Sequence, residues 1–421
     1  MAPPSTSMKP TGVRPASQDR SVKRQQQIAE AAIATIAEHG ITGVTHRRIA
    51  RKANVSLAAT TYYYGTKHDI VADASRHLLE SYVTVFERTI EGFRQGTPPR
   101  FSDFALELVA NAISKKREGA LAWCEIMLSA ARHPDMVELA RDWFSRFADV
   151  WTGIAEVMKL ERTQEAARPA SDIIIGLVFT VLALGVSETA IYDVIRDGKD
   201  VRQAWNPQDE AQLSTIAKPA EPSGRKAEQT RQDLLSAAIA ILTAEGASGV
   251  TYRAVAAKAG LTAAAPTYHF PTIASLLATA QEKLFNQAKD RYHFVMTEGD
   301  FDAFTIDSLT DLTTTVFVRE ATEFGPASMA CYPIWLEAAR HPELRPAIWA
   351  GVDDQYLAWQ RSLARLTDNQ RPQDALILQA LFVGKLIRIL ATGCDMADLA
   401  KVRGEFANDI RDIISQSYWP L

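Results

Sequence analysis

The chain of 421 residues repeats itself, and this duplication restricts its possible folds more than any single motif does. Residues 40–53 read GITGVTHRRIARKA, and residues 246–259 read GASGVTYRAVAAKA. The offset is 206, and it holds without a gap from Ile28/Leu234 to Val71/Leu277. The pentapeptide AARHP stands at 130–134 and again at 338–342, an offset of 208. That second offset also pairs Gly176 with Gly384 and Gly185 with Gly393. Most of one half therefore matches the other in order, and two units of like fold are expected. Pro207, Pro219, Pro222 and Gly224 break helix between them, so 206–228 reads as a linker. Residues 1–20 hold four prolines and little apolar content, which reads as a disordered arm.

Helical periodicity fills the rest. Ile28, Ala32 and Ile36 recur at every fourth position, as do Leu234, Ala238 and Leu242. Leu106, Val109, Ala110 and Ile113 continue the pattern, and so do Leu399, Val402, Phe406, Ile410 and Ile413. No alternating strand runs bounded by hairpin turns occur. The expected class is all-α.

Within residues 24–71 the punctuation is specific. One helix stops at Gly40, and Thr45 can cap a second from His46 to Ala53. A tight turn at Asn54-Val55 follows, then Ser56 as cap of a third helix, Leu57 to Tyr63. Two short helices joined by such a turn form a helix-turn-helix, whose second helix enters the major groove of DNA. Repeat two carries the same marks at Gly246, Thr251, Gly260 and Thr262. With Thr262 as cap, Pro266 falls at the fourth helical position, where one backbone bond is lost. Net charge is −4, so any nucleic-acid affinity must be local. Locally the balance does turn basic: eight Lys/Arg against four Asp/Glu from Arg20 to Asp73, and five against three from Arg225 to Gln281.

The candidate DNA-facing residues of repeat one are Thr45, His46, Arg47 and Arg48, then Ser56, Leu57, Ala58, Ala59, Thr61, Tyr62 and Tyr63, and finally Lys67. Those of repeat two are Thr251, Tyr252 and Arg253, then Thr262, Ala263, Ala264, Thr267, Tyr268 and His269. Small side chains let a helix backbone approach bases, and hydroxyls and cations reach phosphates or base edges. The plainer alternatives are a solvated basic face, and tyrosines packed on their own domain. Tyr64 and Phe270 read as core.

The segment VTHRRIARKANVSLAATTYYYGTKHDIV resembles the DNA-binding signature of tetracycline-repressor-like (TetR family) regulators, and VTYRAVAAKAGLTAAAPTYHFPTIASLL resembles a second copy. The resemblance covers about fifty residues of each half. It implies a three-helix reader followed by a helical domain that holds an effector pocket and dimerises through a four-helix bundle. It also implies that Lys67 touches phosphate; repeat two has Ile273 there, and weaker DNA binding by repeat two follows.

The chain then divides into helix-turn-helix domains at 21–72 and 229–278 and effector/dimerisation domains at 73–205 and 279–421. Helices around Ile173–Thr189 and Leu376–Ala391 would form the bundle, their glycines allowing close approach. Trp123, Met127, Phe147 and Trp151 lie at helical spacings, as do Tyr332, Trp335, Tyr356 and Trp359. Such stripes suit a core, or a pocket for a small apolar or aromatic effector.

No catalytic motif, metal-ligand set or cofactor fingerprint is present; Asp353-Asp354 reads as an exposed acidic helix start. The three cysteines are far apart, and the apolar run Ile173–Val186 is short for a membrane span, so a cytoplasmic, non-membrane protein is expected. The favoured reading is a non-enzymatic repressor acting on a double-stranded DNA operator as an intramolecular pseudo-dimer. Two others stay open: a homodimer of two-repeat chains in which only repeat one reads DNA, and a helical small-molecule-binding protein or enzyme with vestigial helix-turn-helices.

Overall fold

The computed structural model of the protein describes residues 16–160, 163–206, 224–298 and 304–415. Half one holds α1 (Ala16–His39), α2 (His46–Lys52), α3 (Leu57–Tyr63), α4 (Lys67–Gln95), α5 (Phe101–Ile113), α6 (Arg117–Ala130), α7 (Val137–Val157), α8 (Thr163–Leu184), α9 (Glu188–Ile195) and α10 (Val201–Trp205). Half two holds α11 (Arg225–Glu245), α12 (Tyr252–Ala259), α13 (Ala265–His269), α14 (Ile273–Glu298), α15 (Ile306–Ala321), α16 (Gly325–Arg340), α17 (Arg345–Ala364), α18 (Pro372–Ala391), α19 (Met396–Leu399) and α20 (Val402–Ile414). Each helix of half one has a counterpart ten places on, and among the described residues no strand occurs. The all-α expectation holds.

Two boundaries differ from the sequence reading. Helix α1 begins at Ala16, so the last five residues of the expected arm are helical, and 1–15 lie outside the described residues. Helix α11 begins at Arg225, so the expected linker ends earlier, and 207–223 lie outside the described residues.

The amphipathic stripes bury as their periodicity requires. Ile28, Ala32 and Ile36 of α1 pack with Ile70, Ala74 and Leu78 of α4 in one core, and Leu234, Ala238 and Leu242 of α11 are buried likewise. Each such Ile or Leu side chain contributes about 1.5–3 kcal/mol when fully removed from water. Helices α8 and α18 are different, being apolar on most sides. In α8 the window Ala167–Leu184 has a mean hydropathy of 1.7, enough to cross a membrane by composition, yet 83% of it is buried within the protein. Its partner is α18, the most extensive helix pairing among the described residues.

The crossing of α8 and α18 depends on two glycines. A Cβ on Gly176 would stand 1.9 Å from the Ala380 carbonyl oxygen, and one on Gly384 would stand 1.8 Å from that of Asp172. Residues 172 and 380 differ by the same 208 as 176 and 384, so a pseudo-twofold axis passes through the crossing. Gly185 and Gly393 do not share this role. Their φ values of +66° and +95° place them in the left-handed region, where they follow the ends of α8 and α18.

Buried charge is gathered at the same crossing. Asp172 accepts from Arg388 Nε at 2.7 Å and Nη2 at 3.0 Å, and lies 3.4 Å from Lys385 Nζ. Arg168 reaches across to Asp409 at 2.8 Å, and Lys385 pairs with Glu405 at 2.5 Å. Three cations thus meet three carboxylates between the halves. Asp353 and Asp354 lie mid-way along α17 and not at its start; they pair with Arg202 at 2.7 Å and Lys289 at 2.9 Å.

Candidate nucleic-acid interface

Local chemistry fixes the helix-turn-helix of half one. The Thr45 hydroxyl accepts from Arg48 N at 3.2 Å and caps α2. Asn54, with φ +52°, turns the chain, and Ser56 caps α3 by accepting from Ala59 N at 3.1 Å. Thr60 and Tyr64 point into the core, the Tyr64 hydroxyl donating to Asp73 at 2.6 Å. The opposite face of α3 carries Leu57, Ala58 and Thr61, all exposed, and Tyr62, 83% exposed. Arg47, Arg51 and Lys67 are exposed beside it.

Other expected contacts are turned inward. Arg48 Nη1 donates to the Gly43 carbonyl at 2.8 Å and clasps the loop before α2. The Tyr63 hydroxyl lies 3.1 Å from Ser21 Oγ, tying α3 to α1; Lys52, exposed at the end of α2, pairs with Glu38 at 2.5 Å.

Half two is built alike but shorter. Thr251 caps α12, accepting from Ala254 N at 3.1 Å, and Gly260 ends it at φ +67°. Thr262 does not cap with its side chain: α13 starts at Ala265, and the Thr262 carbonyl accepts from Ala265 N at 3.0 Å. Pro266 is therefore at the second helical position, where no intrahelical bond is lost, and this corrects the sequence reading. Tyr268 is 74% exposed and Arg253 and Thr267 are exposed, but His269 is only 5% exposed and its pKa is lowered by burial and by Arg231. Tyr252 donates to the Phe270 carbonyl at 2.7 Å and packs the domain together.

The two units touch at equivalent residues. Thr42 Oγ1 donates to Ser248 Oγ at 2.5 Å, and the two positions differ by 206. Beside this contact a cleft of about 560 Å³ opens between the units, edged by Glu38, His39, Arg48, Glu337 and His341.

In the larger domains an aromatic chain crosses the pseudo-twofold. Trp123 stacks on Phe147 at 6.3 Å and meets Phe179 at 6.4 Å; Phe179 meets Tyr332 at 6.0 Å, and Tyr332 meets Trp335 at 5.4 Å. The indole N–H groups of Trp123 and Trp335 are both buried without a hydrogen-bond partner. Met127 is fully buried. Trp151 belongs to a separate cluster with Phe86, Phe101 and Phe104. Tyr356 donates to the Pro372 carbonyl at 3.0 Å, and Trp359 packs half-buried against the core.

A family described as "Tetracyclin repressor-like, C-terminal domain" matches residues 96–198 and 305–415, about half of the chain and once in each repeat. The family "Bacterial regulatory proteins, tetR family" matches residues 28–74. The chain belongs to the TetR family. Among relatives of this TetR-family regulator is the HTH-type transcriptional regulator BetI of Brucella anthropi, 27% identical over 155 residues that span 37% of this chain and 79% of that protein. The HTH-type nicotine-responsive transcriptional repressor HdnoR of Paenarthrobacter nicotinovorans is 29% identical over 130 residues, 30% of this chain and 64% of that protein.

In this TetR-family chain the structure brings Thr45, Arg47, Ser56, Leu57, Ala58, Thr61, Tyr62 and Lys67 to one exposed surface. It groups Thr251, Arg253, Ala263, Ala264, Thr267 and Tyr268 on a second. His46 and Ala59 are half-buried, and His269 is turned inward. The Thr42–Ser248 pairing was missed by sequence reasoning. Its signal was present, since both positions lie inside the gap-free repeat at the offset that pairs the two readers.

Proposed function

We propose that the chain is a ligand-responsive transcriptional repressor of the cytoplasm, acting as a single-chain pseudo-dimer on one operator with two unlike half-sites. The supporting observation is that equivalent residues of the two halves meet at two separate places. Gly176 on Ala380 and Gly384 on Asp172 mark one, and Thr42 on Ser248 marks the other. One chain then carries both readers that a two-half operator requires. Arg47 and Lys67 contact phosphate on one half-site, while Leu57, Ala58, Thr61 and Tyr62 face its bases. Arg253, Thr267 and Tyr268 face the other half-site, and the different side chains there read a different sequence.

The effector is a small aromatic or apolar molecule with hydrogen-bond acceptors. Unpaired buried donors cost about 1–3 kcal/mol each, and the Trp123 and Trp335 indoles are two such donors in an aromatic surround. A nicotine-responsive repressor among the relatives supports this ligand class. Release follows if the ligand favours a conformation in which the readers are mis-spaced.

The test is selection of bound sequences from a random duplex library by the purified protein. An enriched site with two unlike halves is the expected result. A palindrome would mean that two chains pair and one repeat reads, and no enrichment at low salt would end the DNA-binding reading.

A further inference from the structure

The end of α16, in half two, grips the reader of half one. Arg340 Nε donates to the Ala37 carbonyl at 2.7 Å, and Nη2 reaches the Ile36 carbonyl at 3.3 Å. Both carbonyls belong to the last turn of α1, where the helix dipole favours a cation, and the Ile36 carbonyl also accepts from Gly40 N at 2.8 Å. The same guanidinium is held from two more sides. Nη2 donates to Glu125 of α6 at 2.8 Å, and Nη1 to Glu337 at 2.9 Å. Arg117 of half one answers by donating to the Ala339 carbonyl at 2.5 Å.

This cluster sits where the readers touch. A Cβ on Gly40 would stand 3.3 Å from Ser248 Oγ and 3.4 Å from Glu125 Oε1. The path from α16 to the second reader is therefore short: Arg340, the end of α1, Gly40, Thr42, Ser248. Helix α16 also carries Tyr332 and Trp335 of the aromatic chain.

The pseudo-symmetric position lacks the arrangement. Arg132 is the counterpart of Arg340 at the offset of 208, but the counterpart of Glu125 is Pro333. Arg132 lies against Gly246 at the end of α11, and its Nε and Nη1 are buried without any hydrogen-bond partner. One reader is clasped from across the pseudo-twofold, and the other is not.

We propose that Arg340 is the positioning residue that fixes the distance between the two readers, and so the gap that the protein tolerates between the half-sites of its DNA. The inference rests on the two-reader reading above. It acts through α1 and touches no DNA. Removing hydrogen bonds to a charged group of this kind costs about tenfold in the affinity of the assembly they hold.

The test begins with the site selected by the full-length protein, remade with the gap between its halves shortened or lengthened in single base-pair steps. Binding is measured for the wild type, Arg340→Gln, Arg340→Lys, Glu125→Gln and Arg132→Gln, each checked for folding by thermal unfolding. The wild type is expected to prefer one gap. Arg340→Gln keeps the selected half-site sequences, binds the preferred gap about tenfold more weakly, and tolerates neighbouring gaps almost equally. Arg340→Lys, which keeps the charge but not the fork, lies between, and Arg132→Gln keeps the wild-type profile. If Arg340→Gln does not fold, Glu125→Gln replaces it, with a shift in the same direction expected. A wild-type gap profile in the folded Arg340 or Glu125 variant overturns the proposal, as does an equal change in Arg132→Gln. Failure of the wild type to select any two-part site overturns instead the reading on which the proposal rests.

Discussion

Arg47 and Arg48 are neighbours of one residue type, yet the structure gives them different work. Arg47 projects freely, whereas Arg48 donates to the Gly43 carbonyl inside its own domain. Replacing Arg47 and Lys67 by Ala should weaken binding to every DNA sequence alike. For every phosphate that is no longer neutralised, the slope of log affinity against log salt should flatten by about 0.9. Replacing Arg48 by Ala should instead lower thermal stability, by about 1.5–3 kcal/mol for a charged hydrogen bond. An unchanged salt slope in the Arg47/Lys67 variant would exclude phosphate binding there. Sequence alone separated Tyr62 from Tyr64, because helical spacing puts them on different faces, and the structure leaves one exposed and one buried. It could not separate Arg47 from Arg48 or foresee the inward turn of His269. Those outcomes depend on which loop carbonyl or neighbouring helix lies within reach.

At the scale of the elements, the α8–α18 crossing was legible in its glycines but not in its charges. Gly176 and Gly384 fall on apolar helices at one offset, and only backbone contact uses both. Gly185 and Gly393 share the offset but serve helix ends, a distinction that needs φ. The ion cluster was invisible because its members are scattered over α8, α18 and α20. It breaks the symmetry of the repeats: the counterparts of Asp172 and Arg388 are Ala380 and Thr180. Two copies of half one, paired to each other, would bury Asp172 without Arg388 and Lys385, leaving only Arg168 of its own helix. Burial alone would raise the Asp172 carboxyl, but Arg388, Lys385 and Arg168 outweigh it and hold the pKa at about 2. A carboxylate lowered in the folded state adds stability above its unfolded value, here 3.8, and loses it as pH falls toward 2. Asp172→Asn should therefore cost about 3–5 kcal/mol near neutral pH, with the deficit shrinking between pH 4 and 2 when unfolding is followed across that range. The double reversal Asp172→Arg with Arg388→Asp should recover part of what either reversal alone loses. No recovery would mean that the pair is not what orients the crossing.

Across the whole molecule the duplication foretold two units of like fold, and among the described residues each half has ten α-helices, but the two readers are not identical. Half one has the longer recognition helix and the freer cations; in half two, Pro266 holds the start of α13 at Ala265 and leaves a helix of five residues. The sequence carried Pro266 openly, but its effect on the helix start was missed because Thr262 looked like a competent cap. The readers still sit on matching supports, since Tyr64 and Phe270 are both buried at one offset of 206. A graft can use that match. Replacing residues 262–269 by the sequence of residues 56–63 places the first recognition helix on the second support. If each helix reads its own half-site, the grafted protein should change its selected site from two unlike halves to an inverted repeat of the first half, with the gap preserved. The gap should persist because Thr42, Ser248 and Arg340 are untouched. Should the graft fold and still select the original site, the recognition helices do not choose the sequence, and the basic surface around Arg47 would have to account for binding without base readout.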